Sequence, residues 1–284
     1  MNAIRVFLKE IRVEHTFFAL PFAYTGAVFA AGGFPPWHAL LWITLAVLGA
    51  RTAAMAANRY FDKDIDQRNP RTAGRALVTG TLPPATMLWA IAAGLILLVI
   101  AAWQLNPLCV KLLPLAAVGV LFYPLCKRFT WLTHFVLGAV DGLAPLGAFI
   151  GVAGFVSLPA ALLFAAVTVW VAGFDIAYAL MDLPTDTAQG IASLPARFGE
   201  RAGRSVPLLL HWLMALALVA AGWFAGAPHW YYLGIAAAGV LILDEDRAFR
   251  SAPDVFVLNE RVFVANMMFS VIFLATTLAA FSLG

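Results

Sequence analysis

LPAALLFAAVTVWVAGFDIAYALMDLPTD, residues 158–186, is an apolar run that ends in acidic residues. A helix needs about 20 consecutive apolar residues to cross a bilayer, and this run is long enough to do so. Its acidic end has the pattern Y-x-x-x-D-x-x-x-D at Tyr178, Asp182 and Asp186, with Asp175 just upstream. We therefore predict a membrane helix that presents carboxylates at one membrane surface.

The whole chain has the composition of a membrane protein. Of its 284 residues, 63% are hydrophobic and 12% are charged, whereas soluble domains average about 45–50% and about 25%. Apolar stretches predict nine transmembrane helices, near residues 16–33, 37–57, 86–103, 107–123, 132–152, 158–181, 206–225, 229–243 and 262–283. The predicted fold class is an all-α integral membrane protein in a lipid bilayer, with residues 1–284 forming a single transmembrane domain. The net charge of +3 gives no reason to expect a nucleic-acid partner.

Basic residues are strongly biased toward one side of the predicted bundle. All 18 Lys and Arg residues except Arg51 and Lys111 lie in the N-terminal segment or in the connections after every second predicted helix. The positive-inside rule assigns such segments to the cytoplasm. We therefore predict a protein of the inner membrane whose N-terminus and acidic motifs face the cytoplasm.

A second acidic motif, N-x-x-x-D-x-x-x-D, occurs at Asn58, Asp62 and Asp66. Steps of four residues place the side chains on one helical face, one turn apart. Mg²⁺ prefers oxygen ligands and usually shares them with substrate phosphates. We therefore predict a Mg²⁺–diphosphate site in which the metal ligands are Asn58, Asp62, Asp66, Asp182 and Asp186. The four aspartates are also the predicted catalytic residues.

The two motifs indicate an internal repeat. Each motif closes a helix that runs inward and leads into a basic loop, which predicts two related four-helix halves plus a ninth helix. Repeats of this kind place functional sites at their interface. Pro184 interrupts the second motif, because a proline inside a helix removes a hydrogen bond. That helix is predicted to end near Met181, or Pro184 opens a new first turn.

A diphosphate carries more negative charge than one Mg²⁺ neutralises, so the site also needs cations. The predicted diphosphate-binding residues are Arg59, Arg71, Lys127, Arg128 and Arg197, with Lys63 and Arg75 as further candidates. The alternative for each of them is that it only follows the positive-inside rule.

An intramembrane enzyme that binds a phosphate headgroup is expected to act on a substrate with a lipid tail. A polyprenyl diphosphate meets this requirement, and loss of its diphosphate leaves an allylic cation. Aromatic faces stabilise such a cation by cation–π contact. The candidate rings, for which ordinary packing is the alternative, are Phe17, Phe18, Tyr178 and Trp131.

Three ordered motifs cover most of the chain. They are Asn58–Asp66 followed by Arg71 and Thr72; Tyr123-Pro124-x-x-Lys127-Arg128; and Asp175-x-x-Tyr178-x-x-x-Asp182-x-x-x-Asp186-x-x-x-Gly190-Ile-x-Ser193 with Arg197-Phe-Gly199. Together they resemble the UbiA family of intramembrane aromatic prenyltransferases. The resemblance implies nine helices, Mg²⁺ dependence, a polyprenyl diphosphate donor and a small aromatic acceptor. Ala76 departs from the family pattern, because a proline commonly follows the arginine there.

Within that family, residues 14–22 and 194–198 are similar to the 4-hydroxybenzoate and menaquinone-pathway hydroxynaphthoate branches. The resemblance therefore implies transfer of a polyprenyl group to 4-hydroxybenzoate or a similar hydroxynaphthoate in ubiquinone or menaquinone biosynthesis. Three alternatives stay open. One is another acceptor class, of the homogentisate, haem or chlorophyll type. The second is a transporter, which needs its charges near the membrane midplane, whereas the acidic motifs cluster at one face. The third is a CDP-alcohol phosphotransferase, and the D-G-x-x-A-R signature of that family is absent.

Two further charges lie within predicted helices. Arg51 precedes Asn58 by seven residues, which puts it on the same face and about 10 Å deeper, and Asp141 lies at a comparable depth. Intramembrane charges are costly and usually mark a functional cavity. We predict that Arg51 binds the acceptor's carboxylate, and that Asp141 orients Arg51 or accepts a hydrogen bond from the phenol. Asp175 and Tyr178 complete the predicted acceptor site; the alternative for Arg51 and Asp141 is an ion pair that only satisfies itself.

Overall fold

The computed structural model describes residues 3–13, 16–251 and 254–283. The helices are α1 (Ala3–Glu10), α2 (Thr16–Ala31), α3 (Trp37–Phe61), α4 (Lys63–Arg68), α5 (Pro84–Leu105), α6 (Pro107–Cys126), α7 (Thr133–Ala153), α8 (Leu158–Ala179), α9 (Leu183–Gln189), α10 (Leu194–Phe198), α11 (Glu200–Ala225), α12 (His229–Ser251) and α13 (Val255–Leu283). The predicted all-α fold is confirmed.

Each of the predicted membrane stretches contains a long helix. Among the described residues, seven helices are long and apolar enough to cross a membrane: α3, α5, α6, α7, α8 with the turn and α9 that follow it, α11 and α13. In α2 the apolar part is shorter, at Ala19–Ala31, and α12 carries charged residues from Asp244 onward. The count of nine membrane crossings therefore stays a prediction.

Local sequence signals explain where several helices begin. Asn106 separates α5 from α6 in an extended conformation, and its side chain accepts hydrogen bonds from the backbone N–H groups of Leu108 and Cys109. Ser157 and Ser193 cap α8 and α10 in the same way. A proline in the first turn follows each of these caps, at a position where its missing N–H costs nothing.

Small residues let the helices that carry site residues approach closely. A Cβ atom added at Gly26 of α2 would lie 2.1 Å from the carbonyl oxygen of Pro145 in α7. One added at Gly138 of α7 would lie 2.1 Å from the carbonyl oxygen of Thr168 in α8. Glycine is thus required at both crossings, as is usual in membrane bundles. The result is that α7 and α8 lie backbone to backbone beside the predicted acceptor site.

Both acidic motifs span a break between a long helix and a short one. Asp62 lies between α3 and α4, and the backbone N–H of Asp66 donates to its carbonyl at 2.8 Å. After α8, a 3-10 turn at Leu180–Asp182 precedes α9, which has Pro184 in its first turn. The prediction that Pro184 opens a new first turn and interrupts the second motif is confirmed. The first motif was expected on one helical face, but its helix is interrupted at Asp62. The two related halves remain a prediction, supported by this shared local arrangement.

Candidate active site

One cavity of about 260 Å³ collects almost all of the predicted site residues at a single end of the bundle. The predicted residues that line it are Arg51, Asn58, Arg59, Asp62, Asp66, Arg71, Lys127, Asp141, Asp175, Tyr178, Asp182 and Asp186. The two acidic motifs thus face a common space, as their matching positions at helix ends predict. Arg128 and Arg197 are not among the lining residues.

Three carboxylates of the acidic motifs, those of Asp62, Asp66 and Asp182, are paired with cations from other parts of the chain. Asp62 lies 2.6 Å from the ammonium of Lys127, and Arg75 pairs with Asp66. Charge-assisted hydrogen bonds of this type are about twice as strong as neutral ones. The pairs fix α4, the end of α6 and the loop after α4 around the first motif.

Arg71 connects the first basic loop to the second motif. Its guanidinium forms two hydrogen bonds to the carboxylate of Asp182, and its Nη1 donates to the hydroxyl of Tyr178 at 2.8 Å. The guanidinium carbon also lies 5.0 Å from the centre of the Tyr178 ring. Burial opposes the charge of Arg71, but these bonds outweigh it and raise the pKa of its guanidinium. The Tyr178 face proposed for an allylic cation is thus already next to a cation of the protein.

The residues of the first motif fit a Mg²⁺ ion that is shared with phosphates. The Asp62 side chain is 1% exposed, and its Oδ1 is buried without a hydrogen-bond partner. Burial raises the pKa of this carboxyl, although Lys127 opposes the shift. Within the described ranges, no three Asp, Glu, His or Cys side chains are close enough together to hold a metal by themselves. Mg²⁺ usually takes only one or two carboxylates besides waters and substrate oxygens.

Both polar atoms of the Asn58 side chain have hydrogen-bond partners within the protein. Its Nδ2 donates to Asp62 Oδ2 at 2.7 Å, and its Oδ1 accepts from Arg59 Nη1 at 2.6 Å. The amide oxygen predicted to bind metal is therefore engaged by Arg59. Arg59 itself is 5% exposed, and its Nε donates to the carbonyl of Glu10 at 3.0 Å. Both side chains line the cavity, and their direct ligand roles stay predictions.

Arg128 and Arg197 lie away from the cavity. Arg128 donates to the carbonyl of Phe61 and forms a salt bridge with Asp64 at 3.1 Å. A hydrogen bond from Arg128 lowers the pKa of the Asp64 carboxyl. The short helix α10 buries Leu194 against the bundle and leaves Arg197 exposed on its outer side. The sequence prediction that these two arginines contact diphosphate has no support in their positions.

The Arg51–Asp141 pair separates two cavities. Both residues line the polar cavity, and both also line a second, apolar cavity of about 200 Å³ enclosed by α3, α5, α6 and α7. Arg51 Nη1 lies 3.7 Å from Asp141 Oδ1, which is longer than a hydrogen bond. The Nε of Arg51 is buried without a hydrogen-bond partner. The ion pair therefore does not satisfy Arg51 completely.

His134 and Asn69 are site residues that the motifs did not reveal. His134 Nδ1 lies 2.7 Å from Asp175 Oδ2, and its Nε2 accepts from the backbone N–H of Leu194 at 3.1 Å. Because Nε2 accepts, the ring proton lies on Nδ1, which donates to Asp175. Asn69 Nδ2 donates to Asp182 at 2.7 Å. A lone histidine at the start of a membrane helix was the available signal, but no spacing linked it to Asp175.

The predicted aromatic contacts are only partly described. The side chains of Phe17 and Phe18 lie outside the described residues, as does the Glu14–His15 part of the similarity at residues 14–22. Trp131 packs edge-on against Phe198, with ring centroids 5.1 Å apart, and does not line the cavity. Ordinary packing is therefore the observed role of Trp131.

Comparisons with known proteins agree with this geometry. The sequence model of the UbiA prenyltransferase family matches residues 19–255. The 4-hydroxybenzoate octaprenyltransferase of Alkalilimnicola ehrlichii is 35% identical over 222 residues, which are 76% of this chain and 73% of that protein. The corresponding enzyme of Pseudoalteromonas atlantica is 34% identical over 222 residues, 77% of this chain and 76% of that protein.

Solved structures have the same fold. The apo structure of a UbiA homologue from Aeropyrum pernix K1 has a TM-score of 0.77 at 32% identity and covers 93% of this chain and 97% of its own. A UbiA homologue from Archaeoglobus fulgidus bound to GPP and Mg²⁺ has a TM-score of 0.69 at 17% identity, covering 96% and 99%. With two acidic motifs at one cavity of a helical bundle and a family match over most of its length, the chain is a prenyltransferase that belongs to the UbiA prenyltransferase family.

Proposed function

We propose that the protein transfers a polyprenyl group from a polyprenyl diphosphate to 4-hydroxybenzoate in ubiquinone biosynthesis and releases diphosphate. The observation that carries this proposal is the single cavity in which both acidic motifs, their cations and Arg51 meet. The relatives named 4-hydroxybenzoate octaprenyltransferases support the acceptor and the long prenyl donor.

The polar end of the cavity suits the diphosphate. Mg²⁺, when bound, would stabilise the negative charge of the leaving diphosphate. We assign it to two sites, one at Asp62 and Asp66 and the other at Asp182 and Asp186, with substrate oxygens completing each site. The Lys127 side chain is 24% exposed at the cavity and supplies an ammonium for the phosphate oxygens. Arg71 presents a planar guanidinium, which matches phosphate geometry.

The apolar cavity suits the prenyl tail, and the Arg51–Asp141 pair lies where the two cavities meet. There Arg51 would bind the carboxylate of the acceptor, and Asp141 would orient Arg51 or accept a hydrogen bond from the phenol. The allylic C–O bond breaks with its electrons going to diphosphate, the ring carbon next to the C–OH carbon forms the new C–C bond, and that ring carbon then gives up its proton to the released diphosphate. Asp175, held by His134, and Tyr178 border the same space.

The topology completes the proposal. The exposed apolar side chains on the outside of the bundle, such as Trp103, Trp223 and Leu216, suit contact with a lipid bilayer. We propose nine crossings of the inner membrane within one domain of residues 1–284, with the N-terminus and the basic loops in the cytoplasm. The charge bias of the sequence supports this orientation.

A transfer assay tests the proposed function. Purified protein in nanodiscs is incubated with radiolabelled polyprenyl diphosphate and equal concentrations of 4-hydroxybenzoate and 1,4-dihydroxy-6-naphthoate. We expect label in prenylated 4-hydroxybenzoate, loss of transfer with EDTA, and no transfer by the Asp62→Asn control. Label only in the naphthoate product would move the enzyme to the hydroxynaphthoate branch, and label in neither product would contradict the proposal.

A further inference from the structure

The N-terminal helix α1 reaches the active site although it carries no motif. Glu10, its last residue, is 8% exposed. Its Oε2 accepts from the backbone N–H of Ala76 at 2.9 Å, its carbonyl accepts from Arg59 Nε at 3.0 Å, and its Oε1 lies 3.9 Å from the same Nε. On the neighbouring face, Val6 and Phe7 pack against an apolar cluster. A buried carboxylate is costly unless it is paired, so this arrangement requires an explanation.

A continuous series of polar contacts connects Glu10 to the first motif. Arg59 Nη1 donates to Asn58 Oδ1 at 2.6 Å. Asn58 Nδ2 donates in turn to Asp62 Oδ2 at 2.7 Å, and that oxygen lies 2.6 Å from Lys127. The position of the Asp62 carboxylate thus depends on Asn58, and Asn58 depends on Arg59.

The same carboxylate also fixes the loop that carries the cavity arginines. Ala76, whose N–H donates to Glu10, directly follows Arg75, and Arg75 pairs with Asp66. A proline at position 76 would have no N–H to donate. Glu10 therefore holds two structures at once: Arg59 on α3, and the loop that places Arg75 at the first motif.

The charges explain why the carboxylate is needed. Arg59 is buried, and the charges that act on it include Glu10, Asp66 and Arg75. If Glu10 were neutral, Asp66 would be the remaining carboxylate for the buried guanidinium. Arg59 would then compete with the metal and with Arg75 for an acid of the motif.

We propose that Glu10 is a positioning residue that keeps Arg59 neutralised, so that Asp62 and Asp66 stay available to metal and diphosphate. In this role Arg59 holds Asn58 and does not contact the diphosphate itself. The proposal rests on the proposed Mg²⁺-dependent transfer, and its test measures metal binding in the absence of any acceptor.

The test uses Glu10→Gln, which keeps the shape of the side chain and removes its charge. Binding of Mn²⁺ to the full-length protein in nanodiscs is followed by electron paramagnetic resonance, with geranyl thiodiphosphate as an unreactive donor. We expect Glu10→Gln to weaken Mn²⁺ binding about 10-fold or more, as loss of a residue that orients a metal ligand does. Lys9→Gln, which removes an exposed charge from the same helix, is the matched control and should bind like the wild type.

The double variant Glu10→Gln/Arg59→Gln separates the two roles of Arg59. If Glu10 acts through Arg59, removing the uncompensated guanidinium should restore Mn²⁺ binding to better than that of Glu10→Gln alone. If Arg59 contacts diphosphate directly, the loss of Mn²⁺ affinity in the double variant should equal the product of the losses in Glu10→Gln and Arg59→Gln to within about twofold. That result overturns the proposal. Unchanged Mn²⁺ binding in folded Glu10→Gln also overturns it.

Two further measurements keep the test decisive. Should Glu10→Gln fail to fold, Glu10→Asp is the second variant, because it keeps the charge but moves it one methylene further from Arg59. Weaker Mn²⁺ binding at an unchanged Tm supports the proposal, and unchanged Mn²⁺ binding overturns it. A wild-type protein that binds Mn²⁺ with the thiodiphosphate but prenylates neither acceptor would contradict the proposed acceptor and leave the role of Glu10 intact. A wild type that binds no Mn²⁺ would overturn the role of Glu10.

Discussion

Arg51→Ala is the variant that best separates a functional arginine from a structural ion pair. The Arg51 side chain is 17% exposed, its Nη1 is 3.7 Å from Asp141, and its buried Nε has no partner. A guanidinium has five N–H donors, so Arg51 has free donors for a carboxylate that enters from the polar cavity. The substitution should therefore affect the acceptor and leave the donor site unchanged.

The expected magnitude follows from the contacts that would be lost. A hydrogen bond to a charged group contributes about 1.5–3 kcal/mol, which corresponds to about 10- to 150-fold in an equilibrium constant. We expect kcat/KM for 4-hydroxybenzoate to fall by that factor, while the KM for the polyprenyl diphosphate changes by less than about twofold. Arg51→Lys keeps the charge but loses the planar fork, so its effect should be smaller in the same direction.

Arg51→Ala also leaves the Asp141 carboxylate, which is 19% exposed, without its partner, and breaking this partly buried pair should lower the Tm. Arg51→Ala/Asp141→Asn removes the unpaired charge, so the Tm of the double variant should recover while its use of 4-hydroxybenzoate stays poor. The assay compares 4-hydroxybenzoate with phenol, which lacks the carboxylate and should be insensitive to the substitution. Equal losses with both acceptors, or a matching rise in the donor KM, would refute a carboxylate contact.

Three further outcomes are expected. Asp62→Asn and Asp182→Asn should each reduce kcat to background with Tm within about 4 °C of the wild type, because each removes a carboxylate at the leaving diphosphate; normal turnover at saturating Mg²⁺ would contradict the assignment. Lys127→Ala should raise the donor KM by about 10- to 150-fold. Arg128→Ala should change the donor KM by less than about fivefold, because the exposed pair of Arg128 with Asp64 is worth about 0–1 kcal/mol. Equal effects of the two variants would show that Arg128 reaches the substrate. EDTA should abolish prenyl transfer and added Mg²⁺ should restore it, and transfer that persists in EDTA would exclude the metal site.

The convergence of the two motifs was predictable from the sequence because it depends on topology. Asp62 and Asp182 each close a helix that ends on the basic side of the bundle, so both had to reach the same surface. Lys127 follows a helix that ends there too, and it contacts Asp62 at 2.6 Å. The side of the bundle at which a helix ends is set by the length of its apolar stretch and by the bias of basic residues among the loops. Both of these are properties of the sequence itself.

Contacts between distant segments were not predictable in this way. His134 meets Asp175 only because α7 and α8 pack closely, with Gly138 against Thr168. Glu10, the last residue of α1, accepts a hydrogen bond from the backbone N–H of Ala76, and no motif marks this contact. Such pairs depend on how helices rotate against one another, which periodicity within one helix does not determine.

Neighbouring residues in a motif show why spacing decides function more reliably than residue type. Successive residues on a helix point about 100° apart, so Arg59 diverges from Asn58 and its Nε donates to the carbonyl of Glu10, although both residues line the cavity. Lys127 and Arg128 divide in the same way, one toward Asp62 and the other toward Asp64. The charge bias of the chain accounts for the presence of all these cations, but Arg59 and Lys127 line the cavity and Arg128 does not. A prediction that combined charge with helical angle would therefore have kept Lys127 and placed Arg128 outside the site.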